Sequence, residues 1–329
     1  MTVPAQQVDA EANLSDIQGG LIGFNKDHQR LIFVQFQDQS TAAALLAELK
    51  PLLASGWEVL NFNALYGEIL SRGNKSGLGI IESSWTNIWL SATGLSLVAP
   101  TEMAAFPADF TQGMAARAAI IGDSGKSAPD AWTAPNTGGS VPHAVIVVAA
   151  DSEAGIEAAS SRARQIMAAH GATELPSAQD GNVRPEPMRG KEHFGFKDGI
   201  SQPGIAGFTE SSKPGSGSIA PGEFLIGYPD EDGNISGNAP TPVIPPVPDG
   251  YPPALPAGAP PLPAWARNGS FVVYRRLRQT SQRFISSASR TLEPGNWVRT
   301  SSRRSWWGGG QAALPWKAHP STPWIRTRE

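Results

Sequence analysis

Cysteine is absent from all 329 residues, which excludes disulfides, zinc–thiolate sites, iron–sulfur clusters and a thiolate ligand to haem. Any metal would have to be held by histidine or carboxylate. An excess of basic charge is also missing: 26 Lys and Arg stand against 29 Asp and Glu, a net charge of -3. That balance gives no electrostatic footprint for nucleic acid or for an anionic membrane, and leaves a small molecule or a protein as the expected partner. No apolar run approaches the ~18 residues of a membrane span, and residues 1–9 show neither a basic start nor an apolar h-region. The chain is expected to be soluble and cytoplasmic, although export by another route would leave no such mark. Histidine is scarce, with His28, His143, His170, His193 and His319 and no i, i+4 metal pair among them.

What is present is globular: 40% hydrophobic and 17% charged residues. Residues 31–37 form a β-rich run of buried-strand length, and 41–55 are dense in Ala and Leu, with Ser40 or Thr41 as N-cap and Pro51 as the stop. A strand is expected at 86–90, a broken helical region over 104–121, and a Gly/Pro/Ser-rich loop to Pro142. Residues 143–150 read as a buried strand, and Asp151 as the cap of a helix running to about His170, where Gly171 stops it. A turn and short strand are expected at 221–229, and a further turn and strand at 265–277. The proline-dense stretch between them, Pro240 to Pro263, excludes helix. Strand followed by helix thus occurs twice, near residues 31 and 143, which suggests two similar α+β halves with helices packed on antiparallel sheets.

The most tightly specified stretch is Glu192-His193-Phe194-Gly195-Phe196-Lys197-Asp198-Gly199-Ile200-Ser201-Gln202-Pro203. It sets one carboxylate, Asp198, between glycines and beside aromatic rings. Taken alone, a carboxylate next to glycine is most often a turn residue; the functional reading is a general acid/base in an apolar pocket. His193 could assist it as a hydrogen-bond partner, an ordinary polar contact being the commoner role. The acidic run 230–234 lacks the length and closing Glu of a calcium loop, and Gly308-Gly309-Gly310 lacks the flanks of a phosphate cradle.

Residues 195–203 resemble the Gly-x-x-Asp-Gly motif of the dye-decolorizing peroxidases, haem enzymes with two ferredoxin-like α+β halves. Asp16-Ile17-Gln18-Gly19, residues 221–228 and residues 268–277 resemble stretches of that family in the same order. The resemblance implies an α+β fold of two ferredoxin-like halves and a haem b cofactor. It implies Asp198 as the distal acid/base, with Gly199, Ile200 and Ser201 beside it at the cofactor, and hydrogen peroxide and a small aromatic reductant such as a dye or phenol as substrates. A homo-oligomer is left open. Because an aspartate serves as base only when ionised, while the donors are oxidised more readily in acid, the implied activity is highest at acidic pH.

The resemblance stops at Gln279. The axial His and distal Arg expected downstream are not matched by His319 or Arg326, so no metal ligand is assigned. Reading 280–287 from the last base of each codon permits Asp-Val-Pro-Ala-Phe-His-Gln-Phe, and the fixed Trp and Gly codons of Trp306-Trp307-Gly308-Gly309 shift to permit Val-Gly-Arg-Trp. A one-base frameshift after Gln279 accounts for both. The expected organisation is therefore an N-terminal ferredoxin-like half, 1–142, an incomplete C-terminal haem-site half, 143–279, and an aberrant, poorly ordered tail, 280–329. The alternatives are an inactive α+β binding or assembly module and a protein that handles haem or iron.

Overall fold

The structure is a computed structural model and describes residues 14–71, 81–133, 141–176, 178–197, 203–209, 217–233, 235 and 261–277. Its centre is an antiparallel sheet of strands β1 (His28–Gln35), β2 (Ser84–Leu90), β3 (Ala144–Ala150), β4 (Thr173–Glu174) and β5 (Gln179–Asn182). The strand order is β2-β3-β1-β4, and β5 continues the β4 edge along the other end of β1. Between β1 and β2 lie helices α1 (Gln39–Leu49) and α2 (Gly56–Ser71). Helices α3 (Ala92–Val98), α4 (Ala108–Ala116) and α5 (Ala118–Ile121) follow β2, and α6 (Glu153–Ala169) joins β3 to β4. Chain order and sheet order together give the βαββαβ wiring of a ferredoxin-like unit.

The period-2 pattern decides the faces. Ile32, Val34, Ile88, Ala144, Ile146, Val148 and Ala150 point to one side, where Leu45 and Leu49 of α1 and Ile156, Ile166 and Met167 of α6 bury them. Each such side chain stabilises the fold by roughly 1.5–3 kcal/mol relative to exposure. Phe33 and Val147 point the other way and are also buried, with Tyr274 edge-on to Phe33 at 5.6 Å. A sheet apolar on both faces is a central layer.

Several boundaries differ from expectation for local reasons. The N-cap of α1 is Asp38, whose carboxylate accepts from Thr41 N at 2.8 Å, rather than Ser40 or Thr41. That bond holds the Asp38 carboxyl below the usual carboxylate range. Ser152, not Asp151, caps α6 by accepting from Gly155 N. Asp151 instead pairs with Lys26 at 2.7 Å. The Lys26 ammonium also donates to Ser83 and lies 4.8 Å from the Phe62 ring centroid. Helices α2 and α3 have no counterpart in the sequence reading. The expected break within 104–121 is real, with Gly113 at φ 71° inside α4.

The two strand–helix units read as belonging to separate halves are neighbours in one sheet: β1 pairs with β3 over seven residues, from His28↔Ala150 to Val34↔Ala144. A boundary between 142 and 143 would cut the sheet between its central strands. Residues 271–277, expected as a strand, run extended without a ladder among the described residues. Residues 221–229 hold a single 3-10 turn, Pro221–Glu223, in place of the short strand. Most of the proline-dense stretch and all of 280–329 lie outside the described residues.

The outer edge of β2 is closed by the N-terminal motif. Gln18 Nε2 donates to Ile88 O at 3.0 Å and Gln18 Oε1 accepts from Ile88 N at 2.8 Å, so one side-chain amide stands in for a neighbouring strand. Gly20 N donates to Asn87 Oδ1 at 2.6 Å. Glycine is required at 19, because a Cβ there would lie 2.5 Å from Val59 Cγ2 and 3.0 Å from Ser55 O.

Candidate functional site

The segment that leads to Asp198 leaves the sheet at β5. Val183 N donates to Asp27 O, which prolongs the β1 edge by one bond, and Arg189 pairs with the Asp27 carboxylate at 2.7 Å. Residues 191–197 then fold back on themselves. Lys191 and Lys197 form an antiparallel bridge, Glu192 N donates to Phe196 O at 2.9 Å, and Gly195 N donates to Glu192 O at 2.9 Å. Gly195 sits at φ 93°, a conformation that disfavours any side chain. Arg184 Nη1 holds the turn from outside by donating to Glu192 O at 2.6 Å.

Downstream, Pro203 resumes the described chain, and β6 (Gly204–Ile205) pairs in parallel with β7 (Ser218–Ile219). Ile205 and Phe208 are buried with Leu14, Ile17, Leu225 and Tyr228 in a second core. Asp198, Gly199, Ile200 and Ser201 lie outside the described residues, between two anchored stretches: the turn 191–197 and the buried Ile205. Arg184 was missed from the sequence because a lone arginine fourteen positions before Asp198 carries no local signature.

The other matched stretches meet in the second core. Asn268, at φ 66°, donates from Nδ2 to Asp16 Oδ2 at 2.8 Å and accepts from Tyr228 Oη at 2.7 Å. Arg267 stacks over the Tyr228 ring at 4.4 Å. Burial pushes the Tyr228 phenol above its ordinary value. Three of the stretches singled out from sequence, at 16–19, 221–228 and 268–277, are thus joined by hydrogen bonds and packing.

Fit to a haem was judged from the donor set. His28 Nδ1 lies 2.8 Å from Asn182 Oδ1, His143 Nδ1 accepts from Phe36 N at 3.0 Å, and His170 Nε2 lies 2.6 Å from Glu48 Oε2. His193 lies on the 191–197 turn. Among the described residues there is no group of three or more His, Cys, Asp or Glu able to hold a metal ion. No described helix is long and apolar enough to cross a membrane.

Comparison with known proteins places this architecture. Residues 16–185 match the family domain described as "DyP dimeric alpha+beta barrel domain". A dye-decolorizing peroxidase of Exidia glandulosa is 30% identical over 283 residues, covering 85% of this chain and 47% of the relative. One of Mycena epipterygia is 27% identical over 300 residues, covering 88% and 48%. Among solved structures, an ancestral D-type dye decolorizing peroxidase superposes with a TM-score of 0.67 at 27% identity, covering 87% of this chain and 54% of that one. A dye-decolorizing peroxidase in complex with 2,6-dimethoxyphenol gives 0.51 at 28% identity, covering 68% and 46%. The chain therefore spans about half the length of the relatives it matches. With the domain match covering more than half of its residues and its α+β sheet wired as described, the chain belongs to the dye-decolorizing peroxidase family.

Proposed function

We propose that this chain carries the peroxide-side part of a haem peroxidase, with Asp198 as the group that moves the proton of hydrogen peroxide. The observation that carries this reading is the pair of anchors around the Asp198 segment, the turn held by Arg184 and the buried Ile205, in a chain of this family. The two anchors fix where the chain leaves the turn at Lys197 and where it is buried again at Ile205, and orienting a catalytic carboxylate calls for such fixed supports. Ionised Asp198 accepts a proton from hydrogen peroxide and returns it to the departing oxygen. Haem b would supply the iron that exchanges electrons with peroxide, and Gly199, Ile200 and Ser201 are the residues assigned to face it beside Asp198. The reductant is a small aromatic donor, a dye or a phenol.

The domain boundary is placed accordingly. The N-terminal half runs through β5 and ends near residue 185, and the incomplete second half begins with the segment that leads to the Asp198 turn. The frameshift after Gln279 belongs to the same proposal: sequencing the transcript across that codon should reveal a disrupted frame, and an intact frame refutes it.

Titration of the chain with haem is expected to give a Soret band. Asp198→Asn, which keeps shape and loses the titrating oxygen, should retain the band and lose peroxide-dependent dye oxidation by roughly 100-fold or more. Activity should be highest in the acidic range; a rate that climbs steadily to neutral contradicts the role of Asp198. A second reading, a haem-free α+β binding module, is favoured by the ring nitrogens of His28, His143 and His170 that are already engaged by Asn182, Phe36 and Glu48. Absence of a Soret band decides for that module, and a band without turnover in the unaltered chain decides for haem handling.

A further inference from the structure

We propose that the groove between α3, the N-terminus of α1 and Trp265 is a binding site for a flat aromatic cation. It is an open cavity of about 600 Å³, within the size range of sites for small organic molecules. Its walls are Leu90, Leu95, Val98 and Pro100, and Gln39, Thr101 and Glu102 supply the polar rim. Trp265 is 52% exposed, which is unusual for the side chain with the largest apolar surface, and its ring is not loosely held. Phe106, itself buried, lies 5.9 Å from it by ring centroids, and Phe110 lies 5.5 Å behind Phe106. An indole fixed from behind and open in front is a stacking platform whose ordering cost has already been met in folding.

The charge of the rim selects the ligand. Among the described residues lining the groove, Glu102 is the one with a formal charge, and its Oε2 accepts from Thr101 Oγ1 at 2.7 Å. A carboxylate lining the same groove as an exposed indole favours a delocalised cation, through both charge pairing and the ring quadrupole, and disfavours an anion of the same shape. Neither group belongs to the Asp198 segment, so the site does not depend on haem or on peroxide turnover.

The test uses the full chain without haem and two planar tricyclic probes, cationic methylene blue and anionic anthraquinone-2-sulfonate, with binding followed by calorimetry. Saturable 1:1 binding of methylene blue is expected, weakened about fivefold by Trp265→Ala, weakened about threefold by Glu102→Gln, and largely kept by Trp265→Phe. The sulfonate should bind more weakly than methylene blue to the unaltered chain, and Glu102→Gln should narrow that gap. An unchanged far-ultraviolet circular dichroism spectrum and melting temperature confirm that the variants fold. The proposal is overturned by failure of methylene blue to saturate, by equal binding to Trp265→Ala and the unaltered chain, or by equal affinity for the two probes.

Discussion

At the scale of single residues, the structure turns several ambiguous side chains into assigned ones. His143 stands at the start of β3, where its ring accepts the Phe36 amide and packs 5.7 Å from the Phe36 ring. Burial pushes its imidazole below the ordinary value. The unfolded chain, titrating near 6.5, therefore binds this proton more readily than the folded chain does. Its contribution to stability is complete above that pH and is lost progressively as the pH falls below it toward the folded value. His143→Gln, which can still accept from Phe36 N, should flatten the dependence of the urea midpoint below about pH 6.5. Parallel profiles for the two proteins would show that another group is responsible. Gly94 is fixed by the same residue: a Cβ there would run into the His143 carbonyl. Gly94→Ala should cost about 2–4 kcal/mol in denaturant unfolding, and a loss below ~0.5 kcal/mol would mean that α3 shifts freely against β3.

At the scale of elements, the buried-strand character of β1 and β3 was legible, and so were the stops at Pro51 and Gly171. The caps were misplaced by one to three positions because Asp38, Ser40 and Thr41 are all competent caps, and Ser152 competes with Asp151. Asp151 is removed from capping by the partners it takes instead, the Lys26 ammonium and the Ser83 amide. Helix α2 was invisible in a stretch where Trp, Val, Phe and Tyr favour strands and two Asn residues favour turns; packing of Val59 and Trp57 overrides those preferences. The Gln18 amide gives an element-level test. Gln18→Ala removes both bonds to Ile88 and opens the edge of β2, so it should destabilise by about 1 kcal/mol and speed hydrogen exchange at the Ile88 amide. Unchanged exchange there would mean that water replaces the side chain without consequence.

For the whole molecule, the ladder connecting β1, β2, β3 and β5 is the most heavily bonded part of the described chain. Amides of β1 and β3 should exchange slowest, and those of 271–277, which have no ladder among the described residues, should exchange faster by orders of magnitude. Exchange mass spectrometry with comparable protection in both regions would show that 271–277 is paired in solution. The same comparison reports on the anchors of the proposed site: Arg184→Ala should speed exchange in 191–197 and leave β1 unchanged.

The sequence by itself determined the α+β character, the apolar faces of the two central strands, the absence of thiol chemistry and the motif around Asp198, because each rests on residue type and short-range spacing. The tertiary structure alone decided that the strands near 31 and 143 are neighbours in one sheet, that Gln18 serves as a strand edge, and that Arg184 holds the turn ahead of Asp198. The physical reason is that strand pairing and side-chain capping are contacts between residues distant in sequence. Two runs with the same alternation are equally ready to pair with each other or apart, and the choice is made by the loops, helices and buried area that bring them together.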